Sequence, residues 1–378
     1  MADKKRILYL STWDFTNEAS DGVCKKIKYQ IKAFEKKAIM VDFIYISDGD
    51  ILFRSDGCVK KLGTVGSIRK TPAYLKMYRF LKDKKYGYIY NRYGMMDTFY
   101  YRLLKRLHKN GAKILIEIPT YPYVGERQRG IAYWLMFKWD ALYLHKLKNV
   151  VDRIVTYSDD EQIFEIPTIH IMNGIDVDEI IPKRDFNTSE SVRLLALAYM
   201  QPHHGYERLI KGVYDYYRAG GKRDIKCTFV GEGPEVGHYK KLVDDYELQK
   251  YFSFAGKQQG ESLNTLLDNT DIGICSLGAY KKKVYLSSEL KSREYFAKGI
   301  PICSGVTIDC FRSTDSKFYL EFPNDDSPIN MSEVFDFYDE IYRKEDSIQE
   351  VVSKIRNYAE KYMDISATMY PVCRYILE

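Results

Sequence analysis

No apolar run in this sequence comes near the ~20 residues that a membrane-spanning helix needs, because charged side chains interrupt each run early. The chain begins with charged residues that lead straight into a predicted strand, so we expect no secretory signal. The seven cysteines are scattered, and no two of them form a C-x-x-C pair. This pattern is typical of free buried thiols in a reducing cytoplasm, and it does not indicate a disulfide framework or a thiolate metal site.

Basic residues exceed acidic ones, with a formal net charge of +6, and most of the excess lies in the first third of the chain. The basic surface is either a solvated face or one that meets anionic lipid headgroups, where each Lys or Arg contributes ~1 kcal/mol. No aromatic-basic recognition motif accompanies it, so we expect no nucleic-acid partner. The expected location is cytoplasmic, with peripheral attachment to the inner face of the membrane if the basic face binds lipid.

Strand and helix patterns alternate along nearly the whole chain. The apolar run Arg6–Ser11 predicts a parallel strand buried on both faces, and a helical stripe of apolar residues follows it. The alternation lapses in the polar, turn-rich stretch 181–191 and restarts at Val192. We therefore predict an α/β protein with two doubly wound, Rossmann-like domains, the first spanning residues 1–182 and the second 187–346. In such sheets ligands bind at the carboxyl ends of the strands.

Two glycine-containing loops follow predicted strands of the second domain. Gly231 and Gly233 lie in a strand-to-helix turn, where glycine lets the backbone approach a ligand and the helix start offers unpaired N–H groups. The third glycine of a dinucleotide fingerprint is absent. Gly256 and Lys257 end another strand, where the glycine either brings backbone amides against a flat base or forms an ordinary turn.

The most informative stretch runs from Ser288 to Pro301 and reads as a loop, a short helix and a Gly-Ile-Pro stop. Lys291 and Glu294 are three residues apart, which places an ammonium and a carboxylate on one face of the helix. An ammonium suits a diphosphate, and a carboxylate suits the paired hydroxyls of a ribose. The spacing therefore predicts a nucleotide-sugar site.

These elements occur in a familiar order, and the chain resembles the GT-B glycosyltransferases of the large retaining family 4 along nearly its whole length. The motifs that carry the resemblance are Ser20-Asp21-Gly22, Thr156-Tyr157-Ser158, Asn173-Gly174-Ile175-Asp176, His203–Ile210, Val230–Pro234, Phe254-Ala255-Gly256 and Lys291–Pro301. The Lys-x-x-Glu-Tyr form of the last motif is similar to a bacterial branch associated with surface polysaccharides.

The resemblance implies two domains that face each other across a cleft, and a C-terminal helical segment, residues 347–378, that packs back onto the first domain. It implies that Glu294 takes both ribose hydroxyls of the donor and that Gly256 and Lys257 meet the base. The further residues implied in donor binding are Gly231 and Gly233 for the nucleotide, and Asp21, Gly22 and Ser292 for the diphosphate.

Two positions depart from the family pattern. Many members have a glutamate eight residues before the Glu294 equivalent, where this chain has Leu286, and Tyr199 stands where an arginine is common. Matching the family's Lys-Gly pair puts His204 in place of the lysine. The resemblance therefore implies that Lys291, together with His204, stabilises the leaving diphosphate.

Candidate acceptor-side residues lie in the first domain. Glu117 ends an apolar predicted strand, where a carboxylate is costly unless it acts in catalysis or is paired structurally, and both alternatives stay open. Arg92 follows another strand and either orients the acceptor or a phosphate, or forms a surface ion pair. Tyr121 and Tyr123 lie just beyond Glu117 and are further acceptor-side candidates.

We therefore expect a hexosyltransferase that moves a sugar from a nucleotide-diphosphate donor, with UDP the expected nucleotide, to a glycan or polyprenyl-linked glycan acceptor with retention. The alternatives are a non-catalytic nucleotide-sugar-binding protein and a sugar-nucleotide epimerase of the same fold. We expect no cofactor and no metal, because the Asp-x-Asp sequences at 48–50 and 176–178 lie beside turn signals.

Overall fold

The structure is a computed structural model that describes residues 5–16, 21–65, 71–94, 97–119, 121, 131–184, 190–312, 314, 316–343 and 347–378. Contacts divide the chain into two compact units. The first unit is Met1–Gly174 together with Ile365–Glu378, and the second is Ile175–Asp364. Residues 175–182, which the sequence pattern places in the first domain, and residues 347–364, which the resemblance places in the C-terminal segment, thus pack with the second unit.

The strands are β1 (Arg6–Asp14), β2 (Met40–Ser47), β3 (Asp50–Ser55), β4 (Cys58–Thr64), β5 (Tyr88–Arg92), β6 (Lys113–Ile118), β7 (Arg153–Thr156), β8 (Gln162–Ile163), β9 (Ile166–His170), β10 (Val192–Leu197), β11 (Ile225–Val230), β12 (Phe252–Gly256), β13 (Ile272–Ile274), β14 (Leu286–Ser287), β15 (Ile302–Ser304), β16 (Thr307–Ile308) and β17 (Tyr319–Glu321). The α-helices are α1 (Asp21–Lys36), α2 (Thr71–Leu81), α3 (Thr98–Lys109), α4 (Ile131–Leu147), α5 (Glu207–Arg218), α6 (Val236–Asp245), α7 (Gly260–Asp268), α8 (Leu290–Lys298), α9 (Met331–Tyr342), α10 (Ile348–Tyr362), α11 (Ile365–Thr368) and α12 (Tyr370–Leu377). None of the described helices is long and apolar enough to cross a bilayer.

The sheet of the first unit has the strand order β4-β3-β2-β1-β5-β6-β7-β9-β8. Strands β2, β1, β5, β6, β7 and β9 pair in parallel, whereas β3, β4 and β8 pair antiparallel to their neighbours. Strand β1 buries the run Ile7–Leu10, because helices cover parallel sheets on both faces. The Asp-x-Asp sequence at 48–50 is a hairpin turn, since Asp48 and Gly49 both have positive φ between β2 and β3.

The main sheet of the second unit is parallel throughout, with the strand order β12-β11-β10-β13-β15-β17. When these six strands are numbered 1 to 6 in chain order, their order across the sheet is 3-2-1-4-5-6. This is the doubly wound arrangement of dinucleotide-binding sheets. The strand order reverses between β10 and β13, so the loops that follow these two strands diverge. A ligand crevice is expected at that point, the topological switch point of the sheet.

Backbone hydrogen bonds join the loops that follow β10 and β11 to each other and to the end of β12. The Met200 N–H donates to the Glu232 carbonyl at 2.6 Å, and the Gly231 N–H donates to the Gly256 carbonyl at 2.7 Å. Gly231 has a φ of +124°, and a Cβ there would lie 1.9 Å from the Ala198 carbonyl oxygen. The glycine of this loop is therefore required by packing, whether or not a ligand binds.

We predict that Gly231→Ala destabilises the protein far more than Gly220→Ala. Both glycines have positive φ, but a Cβ at Gly220 would meet no atom within 4 Å. Gly220→Ala should therefore cost only the left-handed backbone penalty of roughly 1–2 kcal/mol. Gly231→Ala adds a clash with backbone and should cost about 3 kcal/mol or more. Urea unfolding followed by circular dichroism measures both, and equal costs would show that the loops do not approach closely.

Candidate functional site

A group of polar residues gathers at the switch point of the second sheet. The loop after β10 contains a 3-10 helix, Pro202–His204, and the loop after β13 contains Ser276 and a second 3-10 helix, Ala279–Lys282. The two loops are joined where the Leu277 N–H donates to the His204 carbonyl at 2.7 Å. Helix α8 also begins here, so the predicted nucleotide-sugar motif lies at the place that the sheet topology marks for a ligand.

Helix α8 begins beside the half-buried carboxylate of its N-cap residue Glu289. This carboxylate accepts hydrogen bonds from the Ser276 backbone N–H at 3.2 Å and from the Ser276 hydroxyl at 2.8 Å. The Lys291 ammonium lies 3.5 Å from it and donates to the Tyr206 hydroxyl at 3.2 Å. Burial alone would raise the pKa of Glu289, but Lys291 and the Ser276 hydrogen bonds hold it below its usual value. The Lys291 charge is therefore balanced by Glu289 within the protein.

His204 is held as a neutral hydrogen-bond donor. Its Nδ1 accepts the Gln201 backbone N–H at 2.9 Å, which leaves the proton on Nε2. Burial, with the nearby Lys291 charge, lowers the pKa of His204 to about 2. Burial and the Lys282 charge likewise lower the pKa of His203 to about 4. Near neutral pH His204 can thus offer an N–H group to a phosphate, but it adds no positive charge.

Ser292 and Arg293 hold the first turn of α8 in place by hydrogen bonds to the Glu289 carbonyl. Both are fully buried, and the Ser292 hydroxyl donates to the Glu289 carbonyl at 2.7 Å. The Arg293 guanidinium donates to the same carbonyl at 3.2 Å and forms an ion pair with Asp309. These contacts favour a structural role for Ser292, and its predicted contact with a diphosphate stays a prediction.

Among the residues predicted to hold the nucleotide, Glu294 lies on α8, and Gly256 and Lys257 lie at the end of β12. Glu294 is half-buried and lies one turn into α8, which ends at Gly299 in the left-handed conformation. Gly256 has a φ of +66° and open space where a Cβ would be, and Lys257 beside it is exposed. The backbone at Gly256 is therefore open to a flat ligand, and its contact with the base stays a prediction.

Sequence reasoning missed Glu289, Ser276 and Lys282. A signal for Glu289 exists, because an acidic residue directly before a helix start suits the helix dipole. Lys282 belongs to a lysine run in which Lys281 pairs with Glu207. Over the described part of the chain Lys282 itself forms no ion pair, and it is exposed. It is thus an uncompensated cation on one of the two switch-point loops.

In the first unit, Glu117 lies in a buried charged cluster at the carboxyl ends of β5, β6 and β7. Its side chain is 0% exposed, and the Arg92 guanidinium and the Lys26 ammonium lie 2.7 and 3.1 Å from Oε1. Three neutral groups also donate to this carboxylate, each at 2.9 Å: Gln30, Tyr90 and Tyr157. Burial would raise the pKa of Glu117, but Lys26 and Arg92 outweigh it and lower the pKa to about 2.

This geometry favours the structural alternative for Glu117, because both carboxylate oxygens have partners and neither is exposed. Arg92 is buried against Glu117 and is not a surface ion pair. Tyr121 is half-buried, with its ring edge-on to Phe164, and Tyr123 lies outside the described residues. Asp21 and Gly22 form the first turn of α1. The catalytic and acceptor roles of these residues stay predictions.

No protein-family model and no curated protein matches the chain. Solved structures match it end to end. A glycosyltransferase from Rickettsia africae is 12% identical with a TM-score of 0.65, and the match covers 100% of this chain and 99% of that one. The sucrose-phosphate synthase of Thermosynechococcus elongatus is 14% identical with a TM-score of 0.63 and 99% of each chain covered. Anabaena HepE, solved in complex with UDP, is 11% identical with a TM-score of 0.61, covering 98% of this chain and 99% of that one.

The fold of this chain is therefore that of GT-B glycosyltransferases. Mixed α/β units with parallel sheets, matched over their full length by such structures, confirm the predicted pair of Rossmann-like domains.

We predict that Glu117→Gln strongly destabilises the first unit. The substitution keeps the shape but leaves two buried cations, Lys26 and Arg92, without a counter-charge, which typically costs about 3–5 kcal/mol. The depressed pKa of Glu117 also means that its contribution is present above about pH 4.5 and is lost as the pH falls toward 2. Urea unfolding at neutral and acidic pH should therefore show that the variant has a much lower free energy of unfolding than the unsubstituted protein at pH 7, and that this difference shrinks on acidification.

Glu165→Gln is the matched control. Glu165 pairs with Lys148 at 2.7 Å, but its side chain is 70% exposed, so the loss should be small at every pH. If Glu117→Gln costs no more than this control, the buried cluster does not stabilise the unit.

Proposed function

We propose that this protein is a retaining hexosyltransferase that binds a nucleotide-diphosphate sugar at the switch point of its second unit. The observation that carries the proposal is the position of α8. Its first turns, with Lys291 and Glu294 three residues apart, lie at the carboxyl ends of a sheet with the 3-2-1-4-5-6 order. UDP is the nucleotide we favour, because the Anabaena protein of the same fold was solved with UDP.

In this proposal a charged side chain binds the ribose and an exposed stretch of backbone binds the base. The Glu294 carboxylate accepts hydrogen bonds from both ribose hydroxyls. The base lies against the backbone at Gly256, where no side chain intervenes, with Lys257 at its edge. Gly231 and Gly233 let the loop after β11 pack closely against the loop after β10, so their contribution to nucleotide binding is to shape the site.

The leaving diphosphate is stabilised by donors that the fold has already oriented. Lys291 and the N–H of the neutral His204 reach it from the switch-point loops, and the N–H groups at the start of α8 add their dipole. Because Glu289 balances Lys291, the site needs a further cation, and exposed Lys282 on the neighbouring loop supplies it. With this charge provided by side chains, the proposed reaction uses no metal.

The acceptor is proposed to be a glycan or polyprenyl-linked glycan of a surface polysaccharide, bound by the first domain. Its hydroxyl oxygen forms the new bond to the anomeric carbon on the face that the diphosphate leaves. Glu117 is a poor base, because its pKa is about 2 and its oxygens are occupied. We therefore assign the acceptor proton to an oxygen of the departing diphosphate rather than to Glu117.

We predict that Glu294→Gln weakens UDP binding by about 10–100-fold, the loss expected when hydrogen bonds to a charged group are weakened. Isothermal titration calorimetry measures the affinity. An analogue of UDP that lacks both ribose hydroxyls should bind the variant and the unsubstituted protein equally. Glu261→Gln is the control, because Glu261 is exposed in the first turn of α7 in the same unit.

Unchanged UDP affinity in Glu294→Gln would contradict the assignment of Glu294 to the ribose.

Measurements of turnover separate the proposed transferase from the alternative functions. A transferase releases UDP from a UDP-sugar when cell-envelope acceptors are added, a binding protein releases none, and an epimerase converts the sugar nucleotide without an acceptor.

We predict that Lys291→Met lowers both stability and UDP affinity, and that adding Glu289→Gln restores only the stability. The single change leaves the half-buried Glu289 carboxylate without its cation, whereas the double change removes both charges together. Thermal unfolding reports the first effect. Calorimetry should show UDP bound about 10-fold more weakly by the double variant, with uridine bound as before. Recovery of UDP affinity in the double variant would mean that Lys291 serves only to pair with Glu289.

A further inference from the structure

An open groove of about 430 Å³ lies between α2 and α3 in the first unit. Its floor is apolar and aromatic, formed by Leu75, Tyr78 and Phe99. Its rim is basic, formed by four residues of α3: Arg102, Lys105, Arg106 and Lys109. No acidic residue is among those that line it. The groove therefore combines a surface that avoids water with one that attracts anions.

The spacing on α3 explains the basic rim. Positions 102, 105, 106 and 109 follow the i, i+3, i+4, i+7 pattern of one helix face, and the opposite face packs into the core through Leu103, Leu104 and Leu107. Neither α2 nor α3 contains a single acidic residue. An ordinary solvated helix carries both signs of charge, so this face is unusual for one that meets only water.

Most of the positive charge of the rim is uncompensated. Arg102, Lys105 and Lys109 are exposed, and over the described residues none of the three forms an ion pair. Arg106 lies 3.4 Å from Asp83, whose side chain is 74% exposed, so this pair is open to solvent and weak. Any anionic partner thus meets at least three available cations around an apolar floor.

A second cluster of aromatic and basic side chains lies outside the residues that line the groove. At the end of α2, the Lys84 ammonium lies 4.8 Å from the centre of the Phe80 ring, and the Lys60 ammonium lies 5.8 Å from it. Aromatic rings flanked by lysines suit the boundary between lipid headgroups and acyl chains, where one end of each side chain is dry and the other wet.

We propose that the α2–α3 groove docks this protein on an anionic phospholipid bilayer. Headgroup phosphates would meet the basic rim, and the glycerol and upper acyl region would meet the aromatic floor. A free phosphate or a nucleic-acid backbone would use the rim but leave the apolar floor without a purpose. The inference deepens the proposed function, because a polyprenyl-linked acceptor lies at such a surface, but the docking does not require a donor.

The test uses the full-length protein without nucleotide and vesicles of phosphatidylcholine, alone or with about 30 mol% phosphatidylglycerol. Co-sedimentation should show binding to the anionic vesicles only, and the binding should weaken as salt rises from about 0.05 to about 0.5 M. The triple substitution Arg102→Gln, Lys105→Gln and Lys109→Gln should weaken partitioning on the order of 100-fold. All three side chains are exposed, so the fold should tolerate the change, and circular dichroism verifies this.

The matched control removes three exposed charges from the second unit by Lys222→Gln, Lys240→Gln and Lys250→Gln. Equal losses in the two triple variants would overturn the proposal in favour of unspecific charge attraction. Binding of the groove to duplex DNA without vesicle binding would overturn it in favour of nucleic acid. Release from vesicles by millimolar inorganic phosphate would overturn it in favour of a soluble phosphate ligand.

A second variant examines the floor. Phe99→Ser should reduce vesicle binding several-fold even at high salt, where the rim is screened. Binding unchanged by Phe99→Ser would overturn the apolar part of the proposal. UDP calorimetry on the groove triple variant keeps the two proposals apart, since unaltered UDP affinity with lost vesicle binding supports the groove alone. Absent UDP binding with intact vesicle binding removes only the donor site.

Discussion

The close approach of Gly205 to Gly278 is the contact on which the candidate donor site depends. A Cβ at Gly205 would lie 2.4 Å from the Gly278 backbone nitrogen, so any larger residue would drive the loops after β10 and β13 apart. The buried Arg208 guanidinium supports the same place by donating to the carbonyls of Leu277 and Ser327. Since His204 lies on one loop and Ser276 on the other, this contact sets the distance between the groups that would surround a diphosphate.

Charge is handled differently in the two units. In the second unit, Glu289 and Lys291 form a balanced pair next to the helix start, and the neutral His204 adds a donor without charge. In the first unit, Glu117 is shared by two cations and has no free oxygen. A buried carboxylate so arranged fixes the ends of three strands, and its low pKa makes it unsuited to accept a proton near neutral pH.

The sequence predicts the fold well because buried parallel strands are nearly continuous apolar runs, and those runs alternate with helical stripes. The loop at Gly231 and the helix with Lys291 and Glu294 are also predicted, since turn chemistry and i, i+3 spacing are local properties. The protonation of His204 could not be predicted, because it follows from the Gln201 N–H and from burial by distant segments. The burial of Ser292 and the pairing of Glu289 with Lys291 depend in the same way on tertiary packing.

The ion pair between Lys291 and Glu289 changes how the departures from the family pattern are interpreted. The resemblance implies that Lys291 replaces a missing cation pair, but Lys291 is 10% exposed and balanced by Glu289, so alone it changes the net charge of the site little. A diphosphate carries several negative charges, and a site of zero net charge would hold it mainly by oriented N–H groups. Positive charge must then come from residues that solvent can reach, and Lys282 is placed on a switch-point loop to provide it, since its neighbour Lys281 pairs with Glu207. Such a site would bind its anion with an affinity that falls steeply with salt, because exposed lysines are screened and buried dipoles are not.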